Sequence, residues 1–198
     1  MTTLRLISTL IALTVATTAT ADLASSPAGK YTLDKNHGYI TFSYNHLGFS
    51  TPQVGFDDWD VVLNLDNGNV ESSTVEVMID ATSINSRVAV FNGHLTGENF
   101  FNTSEYPDIS FVSKSIESRG DDAFDVAGDL TIKGVTKPVV LAMKVNKADN
   151  HPMRKVPTIG VSGEAKVNRS EFGLDRAVPA VGDEVTISVS AELVKADD

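Results

Sequence analysis

Four histidines, His37, His46, His94 and His151, are the residues of this 198-residue chain best suited to proton transfer or metal binding. A neutral imidazole titrates near physiological pH and is a common metal ligand. No two of them are spaced as ligands on one helix, and no HExxH run occurs. His46 and His94 both fall in irregular segments, so a long-range pair completed by an acidic residue is the metal-dependent chemistry the sequence leaves open. Asp57, Asp58 and Asp60 surround Trp59 without the spacing of a calcium loop and read as a solvated acidic strand face. There is no GxSxG elbow, phosphate-binding P-loop or dinucleotide fingerprint. With no cysteine, disulfides, thiol nucleophiles, thiolate zinc sites, iron–sulfur clusters and an acylated N-terminal cysteine are all excluded. Sixteen Lys and Arg against 26 Asp and Glu give a formal charge of −10, which repels nucleic acid.

The elements that must position these residues are strands. Beyond residue 38 the chain alternates apolar and polar with period two. Ile40, Phe42 and Tyr44 form one such face, and Trp59, Val61, Leu63 and Leu65 another. Val75, Val77 and Ile79, then Phe124, Val126, Leu130 and Ile132, continue the pattern. Ile159, Val161, Ala165 and Val167, then Val185, Ile187, Val189, Ala191 and Leu193, complete it. One apolar and one polar face per strand is the signature of an antiparallel sheet. Asn67-Gly68 predicts a type I′ hairpin, and Arg119–Asp122 and Lys133–Thr136 predict two more turns. Pro138 stands near the start of its strand, where its missing N–H does least harm.

Eight or nine strands are expected, closed as a barrel or stacked as a sandwich. Helical spacing interrupts them from Ser86 to Phe101, with Ser86 as N-cap. Two long connections, 46–56 and 169–183, are where a mouth or lid would lie.

Residues 1–21 read as a cleaved export signal: Arg5, an apolar stretch from Leu6 to Val15, then Ala19-Thr20-Ala21. Residues 22–198 then form a single domain in the periplasm, with no later stretch able to span a bilayer. Nine Phe, four Tyr and one Trp are spread over strands and long loops. A barrel of about eight strands is either filled by such side chains or left holding one ligand, and residue physics stops at that fork.

Four motifs, read in order, resemble the YceI-like family of exported polyisoprenoid- or lipid-binding proteins. The first is Tyr31–Asp34 with His37, Ile40, Phe42 and His46–Ser50. The second runs Ile79–Asn85, then Phe91–Leu95 and Phe100–Asn102. The third is Tyr106–Phe111 with Gly128–Pro138, and the last is Asn168–Leu174 with Val181–Val185. The resemblance implies an all-β fold: a lipocalin-like antiparallel β-barrel of about eight strands with a short helical insertion around residues 86–101. Its apolar interior would hold a long-chain isoprenoid, an isoprenoid quinone or a fatty-acid-like lipid, with no catalysis and no cofactor.

Carried onto this chain, the resemblance makes Phe42, Tyr44, Leu47, Phe49, Trp59, Phe91, His94, Leu95, Phe100, Phe101, Phe111 and Phe172 the expected ligand-binding residues. His46 and His94 would meet a polar head at the mouth. The expected partner is a hydrophobic lipid, with neither nucleic acid nor stable membrane insertion; a homodimer through an edge strand or loop is left open. Family members often flank the His94-Leu95 pair with charge, whereas Asn92, Gly93, Thr96 and Gly97 here are neutral, which favours an uncharged head unless Arg87, Arg169 or Arg176 supplies the charge from elsewhere. Two alternatives stand beside the carrier: the metal-dependent periplasmic enzyme on His46 and His94, and an envelope stress protein acting through protein partners.

Overall fold

The computed structural model describes residues 23–197; the segment read as an export signal lies outside them. Ten strands form one sheet: β1 (Gly29–His46), β2 (Gln53–Phe56), β3 (Trp59–Leu65), β4 (Thr74–Asp80), β5 (Ile84–Asn85), β6 (Asp108–Gly120), β7 (Ala123–Ile132), β8 (Val135–Asn150), β9 (Pro157–Asn168) and β10 (Val181–Lys195). Strand order is β10-β9-β8-β7-β6-β4-β3-β1-β2-β5, and β10 also pairs with β1. That last pairing closes eight antiparallel strands into a barrel and leaves β2 and β5 as a flap on β1. One helix, α1 (Ala89–Thr96), lies at the end of the barrel reached by the flap.

The alternation marks the inward face of each strand, and β-bulges explain where it lapses. On β6, Ile109 and Phe111 face inward, and a register shift between Ser113 and Ser115 brings Ile116 inward in turn. A bulge inserts one residue and exchanges the two faces beyond it. A longer irregularity between Leu33 and Gly38 conceals the first half of β1, so that the strand begins at Gly29, well before clean alternation starts. There β1 changes partners. Gly29–Thr32 pairs with β3, and Thr41–Ser43 pairs with β2. Gly38 lets Leu33 and Trp59 pack close at the junction: a methyl group on it would lie 2.6 Å from Leu33 Cδ1 and 3.1 Å from Trp59 Cζ2.

Two of the three expected turns form as read. Asp121 and Asp122 (φ 51° and 62°) join β6 to β7, and Lys133 and Gly134 (φ 49° and 72°) join β7 to β8. Positive φ at both central positions is the type I′ condition. The Asn67-Gly68 turn is different. Gly68 stays out of the left-handed region, and residues 66–73 form a longer connection with a 3₁₀ turn at Val70–Ser72. Asp66 Oδ1 dictates this by accepting from the N–H of Gly68 (3.0 Å) and of Asn69 (3.1 Å).

The helix is shorter than the spacing predicts, and Val88 rather than Ser86 precedes it. Ser86 instead donates its hydroxyl and its N–H to Asn92 Oδ1, at 2.5 and 2.8 Å. Pro138 fits its place because β8 pairs with β9 only from Ala142 onward.

A polar clamp spans the seam on the outside. Asp34 accepts from His37 Nδ1 at 2.8 Å and from Arg154 Nη2 at 2.7 Å, and Arg154 also lies 3.8 Å from Glu192 of β10. Arg154 comes from the β8–β9 turn, so it ties that turn across β10 to β1. The Asp34 carboxyl is 5% exposed. The His37 hydrogen bond chiefly holds its pKa down to about 2 from 3.8, helped by the Asn36 N–H and Arg154 and opposed by burial. A depressed carboxylate stabilises the fold above its unfolded pKa and stops doing so as pH falls through the folded value. We therefore expect Asp34→Asn to remove about 2 kcal/mol at neutral pH. It should also flatten the loss of stability between the unfolded value of 3.8 and about 2, measured by urea unfolding across acid pH. An unaltered acid limb would show that the clamp contributes nothing.

Candidate functional site

The inward faces do not fill the barrel. A cavity of about 630 Å³ occupies the half toward the flap and α1. That is within the usual range for small-molecule sites. Its wall is built from every barrel strand, with Ile40, Phe42 and Tyr44 from β1 and Ile79, Phe111, Leu130, Leu141, Val167 and Ile187 from others. Val54 and Phe56 of the flap, Phe91 and Leu95 of α1, Phe100 and Phe101 beyond it, and Phe172 and Leu174 of the 169–183 connection close over it. Phe42, Phe56 and Phe101 pack with centroids 5.9–6.0 Å apart, and Tyr44 stacks on Phe42 at 6.4 Å. Such ring pairs add roughly 0.5–1.5 kcal/mol each beyond burial and stiffen the wall. On β7 the inward position 128 is glycine because the Phe111 ring lies across it, and a methyl group there would be 2.5 Å from Phe111 Cζ.

A second chamber of about 120 Å³ lies toward the opposite end, among Leu63, Ile116, Val126, Met143, Ile159 and Leu193. Trp59, Val77, Leu141 and Val189 line both chambers and so form the partition between them. The Trp59 ring, 4% exposed, is the largest of these.

Of the twelve residues singled out from sequence, nine lie on the larger chamber: Phe42, Tyr44, Trp59, Phe91, Leu95, Phe100, Phe101, Phe111 and Phe172. Three do not. Leu47 and Phe49 sit outside on the β1–β2 turn, and His94 is exposed near the end of α1. Sequence reasoning missed the aliphatic wall, including Val139, Leu141, Ala165, Val185 and Val189. Alternation was the available signal for these positions. It says which way a side chain faces but not whether it meets another side chain or a void.

The polar groups at the mouth mostly maintain it. Arg169 donates from Nε to Gly182 O (2.9 Å), from Nη1 to Arg176 O (3.0 Å) and Leu174 O, and from Nη2 to Val181 O (3.0 Å). Its guanidinium staples the 169–183 connection and is spent there. Asp183 accepts from the Ser170 hydroxyl (2.7 Å) and N–H (2.9 Å), and those bonds hold its carboxyl below its usual pKa. Burial raises the Tyr44 pKa, partly offset by the Arg169 charge.

His46 lines the cavity and His94 does not. Among the described residues, the one group of three potential metal ligands within 4.8 Å is Asp34, His37 and Glu192 at the seam, and it includes neither His46 nor His94. Its central carboxylate is already occupied by Arg154.

The YceI-like domain family matches residues 31–193, from the first half of β1 almost to the end of β10. The chain belongs to the YceI-like family. Protein YceI of Escherichia coli is 34% identical over 173 residues, covering 86% of this chain and 90% of the relative. A UPF0312 protein of Pseudomonas savastanoi pv. phaseolicola is 32% identical over 159 residues, covering 79% of this chain and 82% of its own. The Campylobacter jejuni YceI protein superposes with a TM-score of 0.71 at 26% identity, covering 77% of this chain and 90% of its own. At fold level the barrel also matches Burkholderia cenocepacia BcnA, with a TM-score of 0.73 at 22% identity over 83% of this chain and 99% of that one. A polyisoprenoid-binding domain from Saccharophagus degradans matches with a TM-score of 0.65 at 13% identity over 86% of this chain and all of its own.

In this YceI-like barrel the partition is the feature most open to test. Trp59→Ala should cost about 3–5 kcal/mol in urea unfolding, the usual range for a buried Trp. It should also join the two chambers, so that apolar probes of increasing chain length gain affinity in the variant where short ones do not. Equal effects on short and long probes would show that Trp59 is ordinary packing.

Proposed function

We propose that this protein is a non-catalytic carrier or store for a long-chain isoprenoid, an isoprenoid quinone or a fatty-acid-like lipid, held in the larger chamber. The observation that carries the reading is an apolar cavity of about 630 Å³ inside a closed barrel, reached from one end. Burial of ten methylenes is worth about 8 kcal/mol gross, before the cost of ordering the chain. The description of the Saccharophagus domain as polyisoprenoid-binding supports the same class of ligand.

The lining holds no Asp or Glu and a single histidine, so it offers no acid–base pair. That composition supports carriage over chemistry, with no cofactor beyond the lipid itself. The mouth offers His46, Gln53, Ser86 and Arg176 to a head group, while Arg169 is spent on loop carbonyls. Among the described residues no helix is long and apolar enough to cross a membrane. Export by residues 1–21 would put the carrier in the periplasm, between membranes that contain such lipids.

Native mass spectrometry of the purified protein, followed by solvent extraction, tests the reading directly. We expect one long-chain lipid per chain. A stoichiometric metal without lipid would favour the enzyme on His46. Phe100→Asp, which puts a charge on the chamber wall, should weaken isoprenoid binding by at least about tenfold with a smaller effect on stability. Binding would be followed by Trp59 fluorescence and stability by thermal unfolding. Parallel losses of both would make Phe100 simply core.

A further inference from the structure

The mouth of the cavity is ringed by apolar side chains that face outward. Phe49 is 89% exposed and Val90 73%, with Leu47 and Val88 about half exposed. They occupy two segments at one end of the barrel. Leu47 and Phe49 form the β1–β2 turn, held by the Phe49 N–H to His46 O (3.0 Å) and the Gly48 N–H to Asn45 Oδ1 (2.7 Å). Val88 and Val90 follow β5, whose antiparallel pairing of Asn85 with Gly55 carries the chain back toward that turn. Val88 and Pro52 also line the cavity, so apolar surface continues from the chamber wall over the rim.

Beside the exposed apolar residues stand two arginines. The segments 46–52, 86–96 and 174–180 hold Arg87, Arg176 and Asp175, and Glu98, Glu105, Glu171 and Asp183 lie further along the same connections. Both arginines are exposed, and neither forms an ion pair among the described residues. Exposed aromatic and aliphatic residues beside unpaired arginines match the boundary between acyl chains and anionic headgroups. The other exposed large apolar residues, Tyr39, Met78, Val112, Val140 and Met153, are scattered over the barrel wall and the far turn.

We propose that this rim is a docking surface for an anionic phospholipid bilayer. Phe49, Leu47 and Val90 enter the interface, and Arg87 and Arg176 meet lipid phosphates. The cavity mouth then opens directly onto the bilayer. The inference rests on the carrier reading and adds the surface through which a lipid would enter or leave without crossing water. It also gives Leu47 and Phe49 a role that the cavity does not.

The test is flotation of the mature protein with phosphatidylcholine–phosphatidylglycerol vesicles, beside Trp59 fluorescence titration with farnesol in free solution. The wild type should float. Phe49→Ser with Val90→Ser, and separately Arg87→Glu, should lower the bound fraction about tenfold with the farnesol response unchanged. Wild type and rim variants floating equally would overturn the proposal. So would a wild type that binds farnesol but does not float, which leaves the carrier reading intact. A dimer that depends on Phe49, without flotation, would overturn it in favour of a second copy on the rim. Rim-dependent flotation with neither a farnesol response nor an extracted lipid would uphold docking and remove the carrier reading.

Discussion

Closure of β10 onto β1 is the constraint on which the rest of the structure depends. Eleven paired positions, from Tyr31 with Lys195 to His46 with Val181, convert an open sheet into a tube with no free barrel edge. A closed tube must send every second side chain inward on all eight strands, and where the strands bend the parity must be corrected. The bulges at Ser113–Ser115, Val145–Lys147 and Leu33–Gly38 make those corrections. The longest of them places Asp34 where Arg154 can reach it, so the irregularity that bends the seam also provides its clamp.

Once closed, the interior is fixed by the barrel's circumference rather than by side-chain volume. Large rings meet it from the wall, and the inward glycine at 128 leaves the room that Phe111 fills. Trp59 divides what remains into a large chamber near the mouth and a small one beyond it. An apolar void of this kind is poorly hydrated, and an apolar chain enters it without displacing strongly held water. Fold and proposed function therefore share one cause: a closed sheet whose core is not filled.

Polar residues of the family motifs and beside them serve this geometry. Arg169, Ser170 and Asp183 hold the 169–183 connection over the cavity, and Asn92 with Ser86 holds the approach to α1. Tyr106 packs on Gly134, where a methyl group would lie 2.7 Å from its ring, linking two pieces of one family motif at the adjacent ends of β6 and β7. The hydrogen bonds shape the entrance. Apolar side chains and the arginines Arg87 and Arg176 stand exposed beside it.

The strand faces and the turns at 121–122 and 133–134 were legible in the amino-acid sequence, because period-two alternation and positive-φ turn residues act over a few neighbours. Phe42, Phe101 and Phe111 were named as wall residues through the resemblance to the YceI-like family, not through alternation. The first half of β1 was hidden because its bulge breaks the beat, and the Asn67-Gly68 turn was misread because Asp66 captures its N–H groups. Tertiary structure alone decided that the interior is hollow, that Trp59 partitions it, and that Phe49 and Leu47 point out while Phe172 points in. Those outcomes depend on how residues far apart in sequence share the volume of a closed tube, and a local pattern carries no measure of that volume.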